Sequence, residues 1–147
     1  MSSDGDNSLV EVVQAPVVLV VEDDCLTRKA VGRKLHDAGY EVIMVPDAAD
    51  ALIVAQRTQF KVLVLDLHLA DIDPFNGIHE GFAVLDWLRR QLGEFQFKVV
   101  IYTSQNDPHL IERAESNGVF AYCVKRRDMN NLVQCVNEAM AAVAKAA

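Results

Sequence analysis

The sequence predicts an α/β doubly wound fold: one parallel sheet of five strands with helices on both faces. From Val17 onward, short runs rich in β-branched and aromatic residues alternate with segments of helical periodicity. The short runs are almost wholly apolar, with little of the in-and-out alternation of a half-wet sheet, so helices should cover both faces. Alternating strands and helices also imply crossovers, which join parallel strands with right-handed connections.

The expected strands are Val17 to Val21, Glu41 to Val45, Lys61 to Leu65, Lys98 to Tyr102 and Val119 to Val124. Between them, Leu26, Ala30, Val31, Leu35 and Ala38 recur at helical spacing, and Gly39 supplies the residue a left-handed C-terminal cap prefers. Asp47 followed by Asp50 is a capped start for the helix containing Ala51, Leu52 and Ala55. Phe82, Leu85, Leu88 and Leu92 mark a third helix. Asp107 and Pro108 cap and open a fourth, which Gly118 closes. Met129, Leu132, Val136, Ala139, Met140 and Val143 line a fifth.

At 147 residues the chain is long enough for one domain with a real core. Residues 1–14 begin polar and carry no usable periodicity, so they read as a disordered lead, with residues 15–147 as the domain. The formal net charge of −7 argues against a surface that grips nucleic acid directly. Cys25, Cys123 and Cys135 are odd in number and form no C-x-x-C pair, which indicates neither zinc nor a disulfide framework and suits a reducing cytoplasm. No apolar run reaches the roughly 18 residues of a membrane span, and the acidic start is unlike a signal peptide.

Four of the apolar runs stop at a residue able to work on phosphate. VVLVV precedes Glu22 and Asp23, VLVL precedes Asp66, VVIY precedes Thr103, and AYCV precedes Lys125. Ligands bind an open parallel sheet in the crevice at the carboxyl ends of its strands, so these residues should share one pocket. Three carboxylates there repel unless a cation joins them or their pKa values shift. Mg2+ fits, being a hard cation held by one or two carboxylates together with phosphate oxygens. An aspartate beside it can attack a phosphoryl group, with Lys125 and Thr103 answering the charge on the phosphoryl oxygens. Singly, each residue has a plainer reading as a cap, a backbone partner or a solvated charge; the set, in order and at strand ends, is the signal.

At these residues the chain resembles a response-regulator receiver domain, the phosphoacceptor module of two-component signalling, over about residues 16–143. The resemblance implies a flavodoxin-like (βα)5 fold with strand order 2-1-3-4-5. It places the acidic pair on Glu22 and Asp23, with Asp24 outside the pair when the chain is aligned through Arg28. It makes Asp66 the phosphoacceptor, Thr103 the hydroxyl residue, Lys125 the lysine and Tyr122 the switch aromatic three residues before that lysine. It further implies that Asp23 and Asp66 bind Mg2+ directly, that Glu22 acts through water, and that His68 offers its backbone carbonyl. The donor would be a sensor histidine kinase or a histidine phosphotransfer protein. The readout would be a downstream protein on the fourth helix, fifth strand and fifth helix. Such a module is a signalling phosphoacceptor that catalyses only its own phosphorylation and dephosphorylation. Because AAVAKAA closes the sequence, the resemblance is to a stand-alone receiver of the chemotaxis type.

Two departures stand out. Receivers commonly carry a Lys-Pro step with a cis bond, but Arg126 follows Lys125, and a non-proline cis bond costs roughly 2.5–4 kcal/mol. The Lys125 loop is therefore expected to be trans or strained. Residues 74–80 form an insertion before Gly81 and Phe82. It reads first as a tolerated surface loop, since added length costs little closure entropy, and otherwise as a partial lid or partner contact. DIDPFNG, which runs into it, is no calcium loop, because Phe75 stands where an oxygen ligand is required.

Two rival functions share some of these residues. A phosphatase or phosphotransferase of the haloacid dehalogenase type also ends a strand in Asp, but its second acid, two residues on, is His68 here, and its metal acids follow the lysine. A degenerate receiver acting only as a binding scaffold is the other; the intact acids argue against it.

Overall fold

A computed structural model of the chain describes residues 15–67, 80–93 and 96–146. The expected lead at 1–14, His68 and the insertion up to residue 79 lie outside them. The elements are β1 (Val17–Val21), α1 (Cys25–Asp37), β2 (Glu41–Val45), α2 (Ala48–Arg57), β3 (Val62–Leu65), α3 (Glu80–Leu92), β4 (Lys98–Thr103), α4 (Pro108–Ser116), β5 (Ala121–Val124) and α5 (Asn130–Ala146). All strand pairs are parallel, in the order β2-β1-β3-β4-β5. This is the fold class and strand order expected.

The apolar strands feed two cores, one on each face. Leu19, Leu63, Leu65, Val99 and Ile101 pack with Ala51, Leu85, Leu88 and Leu110 from α2, α3 and α4. Their neighbours Val18, Val20, Val62, Val64, Val100 and Tyr102 pack with Val31, Leu35, Leu132 and Val136 from α1 and α5. Successive strand residues point to opposite faces, so continuous apolar runs are what a sheet buried on both sides requires. The edge strand β2 is covered least, and Met44 is left exposed.

Local chemistry sets the helix ends. Asp24, Asp47 and Asp107 each accept a backbone N–H of the first turn of α1, α2 and α4. Gly39 and Gly118, with φ of 101° and 70°, occupy the left-handed position after α1 and α4. The next N–H in each case returns to the helix, Tyr40 to Leu35 O at 3.2 Å and Val119 to Ala114 O at 3.1 Å, which is the Schellman arrangement.

Three expectations are corrected in detail. Val119 does not begin β5, because its N–H is used by the end of α4. The buried face of α1 is Val31, Gly32 and Leu35; Leu26, Ala30 and Ala38 are exposed. Met129 precedes α5 with φ 56°, a turn conformation that ends the Lys125 loop.

Candidate functional site

The alternation that directs Val18 and Val20 of β1, and Val62 and Val64 of β3, toward the α1/α5 core continues one step past each strand. It brings Glu22 and Asp66 to the same side at the carboxyl edge. Sheet hydrogen bonding also continues, with Glu22 N–H donating to Val45 O at 3.0 Å and Asp66 N–H to Val21 O at 3.1 Å. Both carboxylates are thus fixed by the central strands, 2% and 6% exposed. Asp23 is half-buried beside them. From α1, Arg28 Nη1 donates to the carbonyls of Glu22 at 3.0 Å and Asp23 at 3.2 Å, holding the acidic loop by its backbone. Asp24 serves the helix instead, its carboxylate accepting from Thr27 N–H at 2.8 Å.

One oxygen from each of Glu22, Asp23 and Asp66 lies within 4.8 Å of the others. Opposite ligands of a Mg2+ octahedron stand about 4 Å apart, given Mg–O distances near 2.0–2.1 Å. The spacing and the all-oxygen chemistry therefore fit that ion with little adjustment. Charge points the same way. Lys125 Nζ donates to Glu22 Oε1 at 2.6 Å and Asp66 Oδ2 at 3.1 Å, so one ammonium faces three carboxylates. Burial pushes the Glu22 carboxyl up to about 7; the Lys125 hydrogen bond opposes the rise and the Asp66 charge adds to it. Burial alone would lower the Lys125 pKa, but its bond to Glu22 and the charge of Asp66 outweigh this and hold it above the usual lysine value. A divalent cation would relieve the remaining repulsion.

Thr103 is fully buried at the end of β4. Its Oγ1 accepts the Gln105 N–H at 3.2 Å, and Tyr122 donates its hydroxyl to the Gln105 carbonyl at 2.6 Å. The expected hydroxyl and switch residues are therefore joined through one residue, Gln105. No sequence signal marked it, because both bonds use its backbone.

Gly81 opens α3 against the end of β3. A Cβ there would lie 2.4 Å from the Asp66 carbonyl oxygen and 2.8 Å from Leu67 Cα, so only glycine permits this approach. Its N–H donates to Leu67 O at 3.3 Å. The glycine at the head of a helix was a visible sign of close approach, though its partner was not. Lys125, in turn, is placed by the peptide that precedes it: its own N–H donates to Thr103 O at 2.8 Å, and Asn131 Nδ2 donates to Val124 O at 2.9 Å. The described residues contain no cis peptide, so the Lys125–Arg126 bond is trans.

Glu22, Asp23, Asp66 and Lys125 are thus brought together, with Thr103 on the adjoining strand end. His68, expected to offer a carbonyl, lies outside the described residues. Cys25 is exposed near the acids, and burial raises the Cys123 thiol to about 12, far from a reactive thiolate.

A family model for the response regulator receiver domain matches residues 18–137. The chain belongs to the response regulator receiver family. Among curated relatives it is similar to the sensor histidine kinase AruS of Pseudomonas aeruginosa, 27% identical over 86% of this chain and 12% of that protein. It is also similar to the two-component response regulator-like protein APRR3 of Arabidopsis thaliana, 28% identical over 84% of this chain and 25% of that one. The receiver thus spans only a fraction of the length of the curated relatives it matches. Among solved structures it resembles the chemotaxis protein CheY4 of Vibrio cholerae, with TM-score 0.75 and 25% identity over 85% of this chain and 98% of that one. The match decides for the receiver over the haloacid dehalogenase alternative. The chain is a receiver domain of two-component signalling whose acidic pocket can hold Mg2+. No helix among the described residues is long and apolar enough to cross a membrane.

Proposed function

We propose that Asp66 accepts a phosphoryl group from a phosphohistidine, supplied by a sensor histidine kinase or a histidine phosphotransfer protein. The observation that carries this reading is the convergence of three carboxylates and one ammonium at the strand ends, with Lys125 bonded to both Glu22 and Asp66. A carboxylate oxygen of Asp66 forms the new P–O bond as the P–N bond breaks; the electron pair goes to the departing imidazole, which takes up a proton. Mg2+, held by Glu22, Asp23 and Asp66, would supply positive charge to the phosphoryl oxygens. Lys125 moves from carboxylate to phosphoryl oxygen and holds charge there, while Thr103 offers its hydroxyl to another oxygen. The module turns over no external substrate beyond its own phosphorylation and dephosphorylation, and it works in the cytoplasm.

Gln105 supports a route for the signal. When the Thr103 hydroxyl turns toward the phosphoryl group it gives up the Gln105 N–H, and the same residue's carbonyl loses its hold on Tyr122. The ring is then free to change rotamer, biasing the surface of α4, β5 and α5 between two states that a downstream protein reads. Tyr122→Ala should uncouple partner binding from phosphorylation while still accepting the phosphoryl group.

The test is incubation with a small phosphodonor, with and without Mg2+, followed by intact mass. A Mg2+-dependent, hydroxylamine-labile gain of one phosphoryl group is expected. No gain under conditions that label a known receiver overturns the reading.

A further inference from the structure

The three acids of the pocket are anchored differently. Glu22 and Asp66 each place a backbone N–H in the sheet, at 3.0 Å from Val45 O and 3.1 Å from Val21 O. Asp23 stands one residue further out, half-buried in the turn between β1 and α1. A carboxylate on a turn points where its own φ and ψ send it, because those are the two soft dihedrals of its backbone.

Arg28 reaches three successive carbonyls of that turn. Its backbone N–H donates to Asp24 O at 2.8 Å, the bond by which the N-cap carbonyl opens α1. Its Nη1 donates to Glu22 O at 3.0 Å and to Asp23 O at 3.2 Å. The Glu22 and Asp23 carbonyls belong to the two peptides that flank the Asp23 Cα, and holding both planes holds its φ and ψ. A further bond braces the second of these peptides, whose N–H, on Asp24, donates to Glu22 Oε2 at 3.2 Å. The support is firm, since α1 packs against the sheet through Val31 and Leu35.

We infer that Arg28 is the positioning residue for Asp23, and through Asp23 for the Mg2+ site. Its guanidinium does for the acid on the turn what the sheet does for Glu22 and Asp66. Charge alone would give Arg28 the opposite role. A guanidinium beside three carboxylates competes with an incoming cation, so its removal should tighten Mg2+ binding. Positioning works the other way, because outer groups that orient metal ligands typically contribute about 10–100-fold in metal affinity. The two accounts differ in sign.

The inference rests on the reading of the acids as a Mg2+ site, but its contact is open to test in the metal-free chain. Amide hydrogen exchange should be faster at Asp24, on the peptide that Arg28 holds, in Arg28→Met than in the wild type, with Val18 to Val21 unchanged. Equal exchange at Asp24 in the two proteins overturns the contact.

Mg2+ titration of the full chain, followed by the amide shifts of Asp66 and Leu67, then tests the role. Arg28→Met should bind Mg2+ about 10-fold more weakly. Arg28→Lys keeps the charge and a donor and should recover part of the loss. Binding in Arg28→Met equal to or tighter than in the wild type, or no recovery in Arg28→Lys, overturns the positioning role. If circular dichroism shows Arg28→Met to be unfolded, Arg28→Lys against the wild type decides: weaker Mg2+ binding is expected, and equal binding overturns the role. A wild type that binds no Mg2+ overturns the metal reading instead, and exchange at Asp24 still decides the Arg28 contact.

Discussion

The acidic and cationic halves of the pocket are built by different parts of the sheet. Glu22 and Asp66 extend β1 and β3, strands paired on both sides, and their side chains are 3% and 7% exposed. Lys125 extends β5, the edge strand, and is 23% exposed on a flexible stem. Like charges separate if they are free to, so the mutually repelling acids need the firmest anchorage in the fold. On the proposed phosphoacceptor reading the ammonium needs the reverse, since it would exchange a carboxylate for a phosphoryl oxygen within the same pocket. The repelling groups sit on strands paired on both sides, and the group proposed to change partner sits on the edge.

The largest effect expected is from Asp66→Asn, which should abolish phosphoryl uptake with the fold intact, as read by intact mass and circular dichroism. Lys125→Ala should divide the halves. Phosphorylation slows by about 10²–10³-fold, the usual loss when a group stabilising developing charge is removed. Mg2+ binding should tighten, because the ammonium no longer competes for Glu22 and Asp66; weaker Mg2+ binding in calorimetry would show that the halves are not separable in this way.

Metal addition tests the acidic half alone. At a hundredfold excess over its dissociation constant, Mg2+ should stabilise the fold by about 2.7 kcal/mol in thermal or urea unfolding. The pH dependence has a definite sign. In the metal-free fold Glu22 holds its proton up to about 7, against an ordinary value of 4.5. The unfolded chain releases that proton first, so the Glu22 contribution to stability falls as pH rises from 4.5 toward 7 and is level below 4.5. Glu22→Gln should remove that slope. Gly81→Ala should lower stability, because its methyl would meet the Asp66 carbonyl oxygen at 2.4 Å. Overpacking of this kind costs about 1–3 kcal/mol, and urea unfolding should show it.

Much of this was legible in the sequence because it follows from periodicity and chain punctuation. Unbroken apolar runs such as VLVL gave the doubly covered sheet, and Asp107-Pro108 and Gly118 marked both ends of α4. The acids were legible because each directly follows such a run. What escaped was whatever depends on backbone atoms or on which face a residue takes. Gln105 joins Thr103 to Tyr122 through its N–H and carbonyl, which every non-proline residue owns. Val119 looked like strand by composition, yet its N–H closes α4, a competition between two elements that propensity does not register.

The central claim is that the strand-end carboxylate of Asp66 is the group that carries the phosphoryl. Borohydride reduction of the phosphorylated chain, followed by peptide mapping, tests it most directly, because it converts an aspartyl phosphate to homoserine and marks the residue. Homoserine is expected at position 66 in the presence of Mg2+ and none in its absence. Homoserine at position 23, or a phosphorylated chain with no reducible aspartate, would contradict it.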